Sequence, residues 1–418
     1  MTSYSQFLKK KGPRLSVSID LLLLIIISVH FFYLKPLLPL FDNNASYTIY
    51  LLMLAYLYIR YLGFSIRFGI RKKMTPLVWF VVGVLLSFIP AYVFYNQHIY
   101  YSFIAYRHFL LLLTLPVLLS IQPSWIEIKR ALYAYAVLFC FLSIFVTFIA
   151  PQWVILGEGQ QFLEGGDWVR LMPGLQFVVM AFVFSLNDFR NQLTVKSFIP
   201  CAFIFLTIVM VQNRTHLIGS LSIIVLASLV NKSARTRIYT EALLIIVSIA
   251  LIILLNRYFL ALWDETLMQL NNPDYNRVKA FMYFISVENG PLSFFLGNGF
   301  ISGKVNSIMQ DLMMEGIYNC DLGLIGMWHQ FGLVTVLSLL VYEFKGLSHK
   351  RSFIVQGVAL SMFMGSLTVS YFIEHEYLLW LCMYYYLLGT DVEYERSVAK
   401  EEAKVVKRAI RRYRSIAR

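Results

Sequence analysis

Three arginines and one aspartate carry the residue types from which chemistry could be built: Arg170, Arg214, Arg277 and Asp321. A guanidinium is planar, always charged and able to hold two phosphate oxygens at once. Arg214 stands in Asn213-Arg214-Thr215, a short corner between two apolar runs, so it is pinned where those runs end. Snorkelling to lipid headgroups is the plainer use of such a residue. Arg277 lies in Pro273-Asp-Tyr-Asn-Arg-Val-Lys-Ala-Phe-Met-Tyr-Phe, which reads as a turn and then an amphipathic helix with an aromatic face. The plainer reading there is a helix lying on a membrane with Arg277 and Lys279 solvated. Arg170, just ahead of Met172-Pro173-Gly174, is a third member of the set. Asp321 is the last polar residue before an apolar run. It can cap the helix that follows, or act as a general base with a basicity tuned by burial and nearby arginines. Asn319 precedes it by two residues, and His329 follows by eight, on roughly the same helix face two turns deeper. A packed or hydrogen-bonded role is the plain reading for that histidine. Glu374-His375-Glu376 forms a polar turn. Adjacent residues on one turn rarely converge on one ion, and no second cluster is evident, so no metal site is expected.

These residues need a frame, and the composition supplies one. The chain is 59% hydrophobic, 16% aromatic and only 14% charged over 418 residues, whereas soluble domains carry about 25% charged residues. The expectation is a single all-α, polytopic membrane domain covering 1–418, with about twelve spans near 17–40, 46–64, 76–95, 108–122, 131–150, 171–187, 198–212, 216–231, 240–260, 321–344, 353–373 and 377–390. The net charge of +13 reads as topology rather than nucleic-acid binding, because Lys and Arg remain on the cytoplasmic side. Arg67, Arg71, Lys72, Lys73, Lys129, Arg130, Arg190, Lys196, Lys232, Arg235, Arg237, Lys345, Lys350 and Arg351 fall in alternate loops. With the basic N-terminus and the basic tail 392–418, they set both termini in the cytoplasm. Arginines on the other side, Arg107 and Arg257 besides the three above, run against that rule and ask for a reason. The long loop 260–320, with short helices, lies on the same far side. The run after Lys9, Lys10, Lys11 and Arg14 lacks a small-residue cleavage site and reads as a retained span. The four cysteines show no CxxC pair, so neither a disulfide framework nor a zinc site is indicated. No nucleotide-binding, hydrolase-elbow or zincin motif is present.

The polytopic frame, the Arg214-Thr215 corner and the long outer loop resemble the O-antigen polymerase and O-antigen ligase superfamily. The loop of that family often carries an Arg, a Gly-x-Gly after an aromatic helix, and then His-Asn or Asp-Asn entering a span with a Gly further along. Here these are Arg277, Gly297-Asn298-Gly299, Asn319-Cys320-Asp321 and Phe331-Gly332-Leu333. Asp321 and Gly332 are 11 residues apart, similar to the family's spacing. The resemblance covers about 150–335. Ligases typically place His at the loop end where this chain has Asp321, which leans toward a polymerase. The resemblance implies a bacterial inner-membrane enzyme that moves glycan from a polyprenyl pyrophosphate carrier to an acceptor glycan on the outer face. Membrane-edge arginines would hold the pyrophosphate, and Asp321 would take the acceptor proton. It also implies no cofactor or metal, and a chain-length regulator protein as a partner beside the lipid-linked oligosaccharide and the bilayer. A ligase acting on lipid A core or protein is the nearest alternative. A transporter of lipid-linked sugars is the alternative of another class, and it should carry ionisable residues and helix breaks at mid-membrane.

Overall fold

A chain segment in lipid must satisfy its amides internally, which predicts helices. The computed structural model describes residues 14–34, 36–37, 43–61, 70–149, 153, 171, 173–211, 213–230, 238, 276–286, 290–301, 322–348, 350–367 and 376–392, and its described elements are helices and turns. The helices are α1 (Leu15–Ser28), α2 (Asn43–Tyr61), α3 (Ile70–Leu86), α4 (Phe88–Tyr95), α5 (Ile99–Ala105), α6 (Thr114–Ile121), α7 (Trp125–Phe148), α8 (Leu175–Gln192), α9 (Val195–Val211), α10 (Arg214–Leu229), α11 (Asn276–Ser286), α12 (Pro291–Leu296), α13 (Leu324–Leu347) and α14 (Phe353–Ser366). A last helix, α15, covers 376–392.

Leu77–Tyr95, Trp125–Phe148 and Leu324–Leu347 are long and apolar enough to cross a bilayer, and Ile99–Ala105 with Arg107–Ile121 joins them as a pair bent by 59°. Leu15–Ser28, Val195–Val211, Thr215–Leu229 and Phe353–Ser366 are apolar but shorter. The described residues thus hold three or four helices of full spanning length where the sequence reading places about twelve spans. The expected span at 240–260 and the tail 393–418 lie outside them.

Two boundaries differ from the sequence reading. The first apolar run continues to Leu40, but α1 ends at Ser28, and His30, Phe31, Phe32 and Tyr33 take left-handed φ values of 49°, 52°, 63° and 50°. Each such residue costs roughly 1–2 kcal/mol, and stacking of Phe32 on Tyr135 at 5.6 Å helps to hold the turn. The stretch 96–107, expected as a loop, contains α5. His98 caps it by accepting a hydrogen bond from the Tyr100 amide at 3.2 Å, and its Tyr100 and Phe103 are exposed.

The bundle is organised around α15. Its residues from Leu378 to Leu387 are all buried. Tyr386 donates to the Pro123 carbonyl at 2.7 Å, Trp125 donates to Thr390 at 3.1 Å, and Asp391 accepts from the Ser352 amide at 3.3 Å. One end of the bundle gathers basic residues with acidic partners. Arg14 pairs with Glu127 at 3.2 Å, Lys129 with Asp188 at 2.7 Å, Arg60 with Asp20 at 3.1 Å and Arg351 with Asp391 at 3.7 Å. Glu127 also completes a reciprocal cap with Ser124 at the start of α7, which satisfies two amides that a helix start would leave open.

Candidate functional site

The opposite end holds the two glycine motifs and His329. α13 is broken at Gly332, whose backbone lies at φ 77°, ψ 169°. A helix interrupted inside a membrane frees carbonyls that need new donors. The donors come from Gly297-Asn298-Gly299. The Asn298 amide donates to the His329 carbonyl at 2.7 Å, and the Gly299 amide donates to the Gln330 carbonyl at 2.9 Å. The Asn298 side chain adds a bond to the His329 carbonyl at 3.3 Å and accepts from Ser293 at 2.6 Å. The backbones cross so closely that a Cβ at Gly332 would lie 2.2 Å from the Phe295 carbonyl oxygen, and one at Gly297 would lie 2.4 Å from that of Gln330. The two glycine motifs noted in the sequence, 35 residues apart, are therefore one structure.

Aromatic side chains hold the crossing from two directions. Trp328 donates to the Phe294 carbonyl at 3.0 Å. Tyr106 stacks on Phe88 at 5.1 Å and packs on Phe331 at 5.8 Å and on Phe300 at 6.0 Å. Gln97 donates to the Phe300 carbonyl at 2.9 Å, which ties the segment ahead of α5 to the stretch after Gly299.

α11 lies over this break. Its Ala280 and Phe284 are buried with Tyr283 and Leu322 packed beside them, and the Phe284 ring meets the His329 ring edge-on at 4.7 Å. His329 is buried, as its plain reading expects, but neither ring nitrogen has a hydrogen-bond partner among the described residues. Arg277 is exposed on the same stripe of α11 as Ala280 and Phe284, two turns and so about 10 Å along the axis from Phe284.

The Arg214 corner is as tight as the sequence predicts. α9 ends at Val211, and Asn213 caps α10 by accepting from the His216 amide at 3.1 Å. A Cβ on Gly219 would sit 3.8 Å from Ser361, and one on Gly357 would sit 3.5 Å from Ile223. α10 and α14 are thus antiparallel, with the backbone of Arg214 level with Ser366. Ser366 and Leu367 in turn abut Gly323, where an added Cβ would lie 2.5 Å from the Ser366 carbonyl oxygen. The Arg214 corner and the start of α13 therefore share one end of the bundle.

Glu376 is buried and accepts from the Gly174 amide at 3.1 Å, at the N-terminus of α8. An anion there is favoured by the helix dipole. This makes Glu376 an anchor between the start of α15 and the N-terminus of α8. Glu376→Ala strands a buried amide, which costs about 1–3 kcal/mol. The expected result is a lower thermal unfolding midpoint for the purified protein, and an unchanged midpoint would show the bond to be dispensable. Arg170, Asn319, Asp321, Glu374, His375 and the side chain of Arg214 lie outside the described residues.

A buried acid that the sequence reading does not single out differs from the paired ones: Glu343, on the part of α13 toward the basic end, has both carboxylate oxygens buried without a partner among the described residues. Its signal is a single carboxylate inside an apolar run, placed close enough to Lys345 to pass for a span end.

No protein-family model matches this chain, and no curated protein matches it.

Proposed function

We propose that this chain is a membrane-embedded glycosyltransferase that polymerises a surface polysaccharide. It moves glycan from a polyprenyl pyrophosphate donor to an acceptor glycan at the outer face of a bacterial inner membrane. The acceptor hydroxyl attacks the anomeric carbon, the bond to the pyrophosphate breaks, and the acceptor proton passes to Asp321. Arg214, Arg277 and Arg170 hold the departing pyrophosphate. The observation that supports this reading is the crossing of Gly297-Asn298-Gly299 over the Gly332 break, because it joins two of the motifs on which the family resemblance rests. The test is polymer formation by purified protein from purified lipid-linked repeat units. Product on lipid A core or protein instead would identify a ligase.

One observation favours a second reading. A broken α13 together with an unpartnered Glu343 in its apolar run fits a transporter of lipid-linked sugars. Reconstituted vesicles separate the two, since a transporter moves labelled lipid-linked sugar across the bilayer without lengthening it.

In this proposal Arg214→Ala and Arg277→Ala each abolish polymer at normal protein level. Truncating one partner of a charge-assisted contact costs about 2–5 kcal/mol. Lysine rescues poorly because it lacks the bidentate fork. Normal chain length in both alanine variants would remove the pyrophosphate clamp. The orientation is tested by labelling from outside. Cysteine at Ser302 should react and cysteine at Ser348 should not, and the reverse pattern would invert the scheme.

A further inference from the structure

Glu343 sits on α13 at the level where α15 brings up Tyr384 and Tyr385. Glu343 and Tyr385 are both about 2% exposed. Both carboxylate oxygens and the Tyr385 hydroxyl are buried with no hydrogen-bond partner among the described residues. Among the described residues, the titratable and charged groups around them are Tyr342, Tyr384, Cys382 and Arg351. None of these is placed to neutralise Glu343. Arg351 pairs with Asp391 at 3.7 Å, and the Tyr384 hydroxyl donates to the Tyr342 carbonyl at 2.6 Å. Lys345, two residues on, lies over the Tyr342 ring at 4.4 Å. The packing is close, since a Cβ at Gly346 would come within 2.2 Å of the Tyr384 oxygen.

An ionised carboxylate in such a place has no compensation, and stripping one of water without a partner costs several kcal/mol. A hard metal cation takes about six to eight oxygens, and the cluster offers three unpartnered side-chain oxygens. A proton needs only one. We propose that Glu343 is an intramembrane proton-binding site, carried as the neutral acid in the folded protein with Tyr385 beside it. Proton binding there stands whether the chain proves to be a polymerase or a transporter. The folded chain holds the proton and the unfolded chain releases it, so this site contributes stability at low pH and loses it as pH rises.

The experiment uses the full chain in lipid nanodiscs and a hydrophobic carbodiimide, which modifies carboxyl groups that hold a proton. Peptide mapping by mass spectrometry should find Glu343 modified at neutral pH, with the modification falling as pH is raised and indifferent to added sodium or potassium. Glu343→Gln, which copies the neutral acid, should lose that label. The variant should keep its thermal midpoint at neutral pH and become increasingly more stable than wild type in alkaline buffer. Protection by sodium or potassium would convert the site to a metal-cation site and overturn the proposal. So would an unlabelled Glu343 at every pH in a protein that labels elsewhere, or a Glu343→Gln chain that is less stable at all pH values. The labelling arm needs only the wild-type protein, so it decides the question even where the variant does not fold.

Discussion

Gly332→Ala is expected to disassemble the crossing at the α13 break and to remove polymer formation with it. Two effects add. At φ 77°, ψ 169° the residue occupies a region open only to glycine, where another residue costs on the order of 1–3 kcal/mol. The new Cβ would also press on backbone, 2.2 Å from the Phe295 oxygen and 2.4 Å from the Gly297 nitrogen. Neither atom is the flexible tip of a side chain, so the backbone must move, and overpacking of this kind adds about 1–3 kcal/mol. Gly290 supplies the internal control. It has a similar backbone, φ 86°, ψ −170°, but an added Cβ there meets nothing within 4 Å. Gly290→Ala should therefore show the conformational cost alone. Thermal unfolding of the two variants separates the terms, with Gly332→Ala lower by the overpacking contribution. Equal midpoints would mean that the backbones at the crossing part easily, and the close approach would lose its structural meaning. Gly297→Ala, facing the Gln330 oxygen, should behave like Gly332→Ala.

The crossing is legible in part from the amino-acid sequence. Gly297, Gly299 and Gly332 stand out because a family resemblance picks out their motifs, but spacing along the chain cannot say that residues 35 apart hydrogen-bond. The Arg214 corner is readable for a different reason. Two apolar runs with five polar residues between them, Gln212 to His216, leave room for a cap and little else, and Asn213 is that cap. Helix ends at polar corners are legible in the same way, as Ser124 and Ser352 show by capping α7 and α14.

What hydropathy cannot report is a change of backbone direction inside apolar sequence. Residues 30–33 lie inside an apolar run with only His30 and Tyr33 to interrupt it, yet they turn left-handed, and α5 meets the helix after it at 59°, the bend marked by Arg107 and His108 alone. Glu343 is hidden by a related route. Charge near a span end reads as surface, and only tertiary packing places that carboxylate away from water. The plain reading of His329 as a packed histidine matches its burial. Its unpartnered ring nitrogens depend on what α11 lays over it, and sequence position does not encode that.

Asp321→Asn carries the largest catalytic consequence in the proposed reaction. The residue lies two positions ahead of Gly323, which abuts the Ser366 and Leu367 carbonyls at the bundle end shared with the Arg214 corner. In the proposed reaction a base at this end serves a donor held at the membrane edge and an acceptor arriving from outside. The amide keeps the shape of the carboxylate and keeps an oxygen that can accept from a helix amide, but it has no basicity. If Asp321 takes the acceptor proton, turnover should fall by about a hundred- to ten-thousand-fold, with the thermal midpoint unchanged. If Asp321 only caps the helix that follows, asparagine is among the best replacements, and turnover should stay near wild type. The measurement is the rate of polymer formation from purified lipid-linked substrate, read beside the unfolding midpoint of the same preparation. A variant that polymerises at the wild-type rate would reduce Asp321 to a cap. The base would then be sought at His329, beside the Gly332 break, whose ring nitrogens have no hydrogen-bond partner among the described residues, and at Glu374-His375-Glu376.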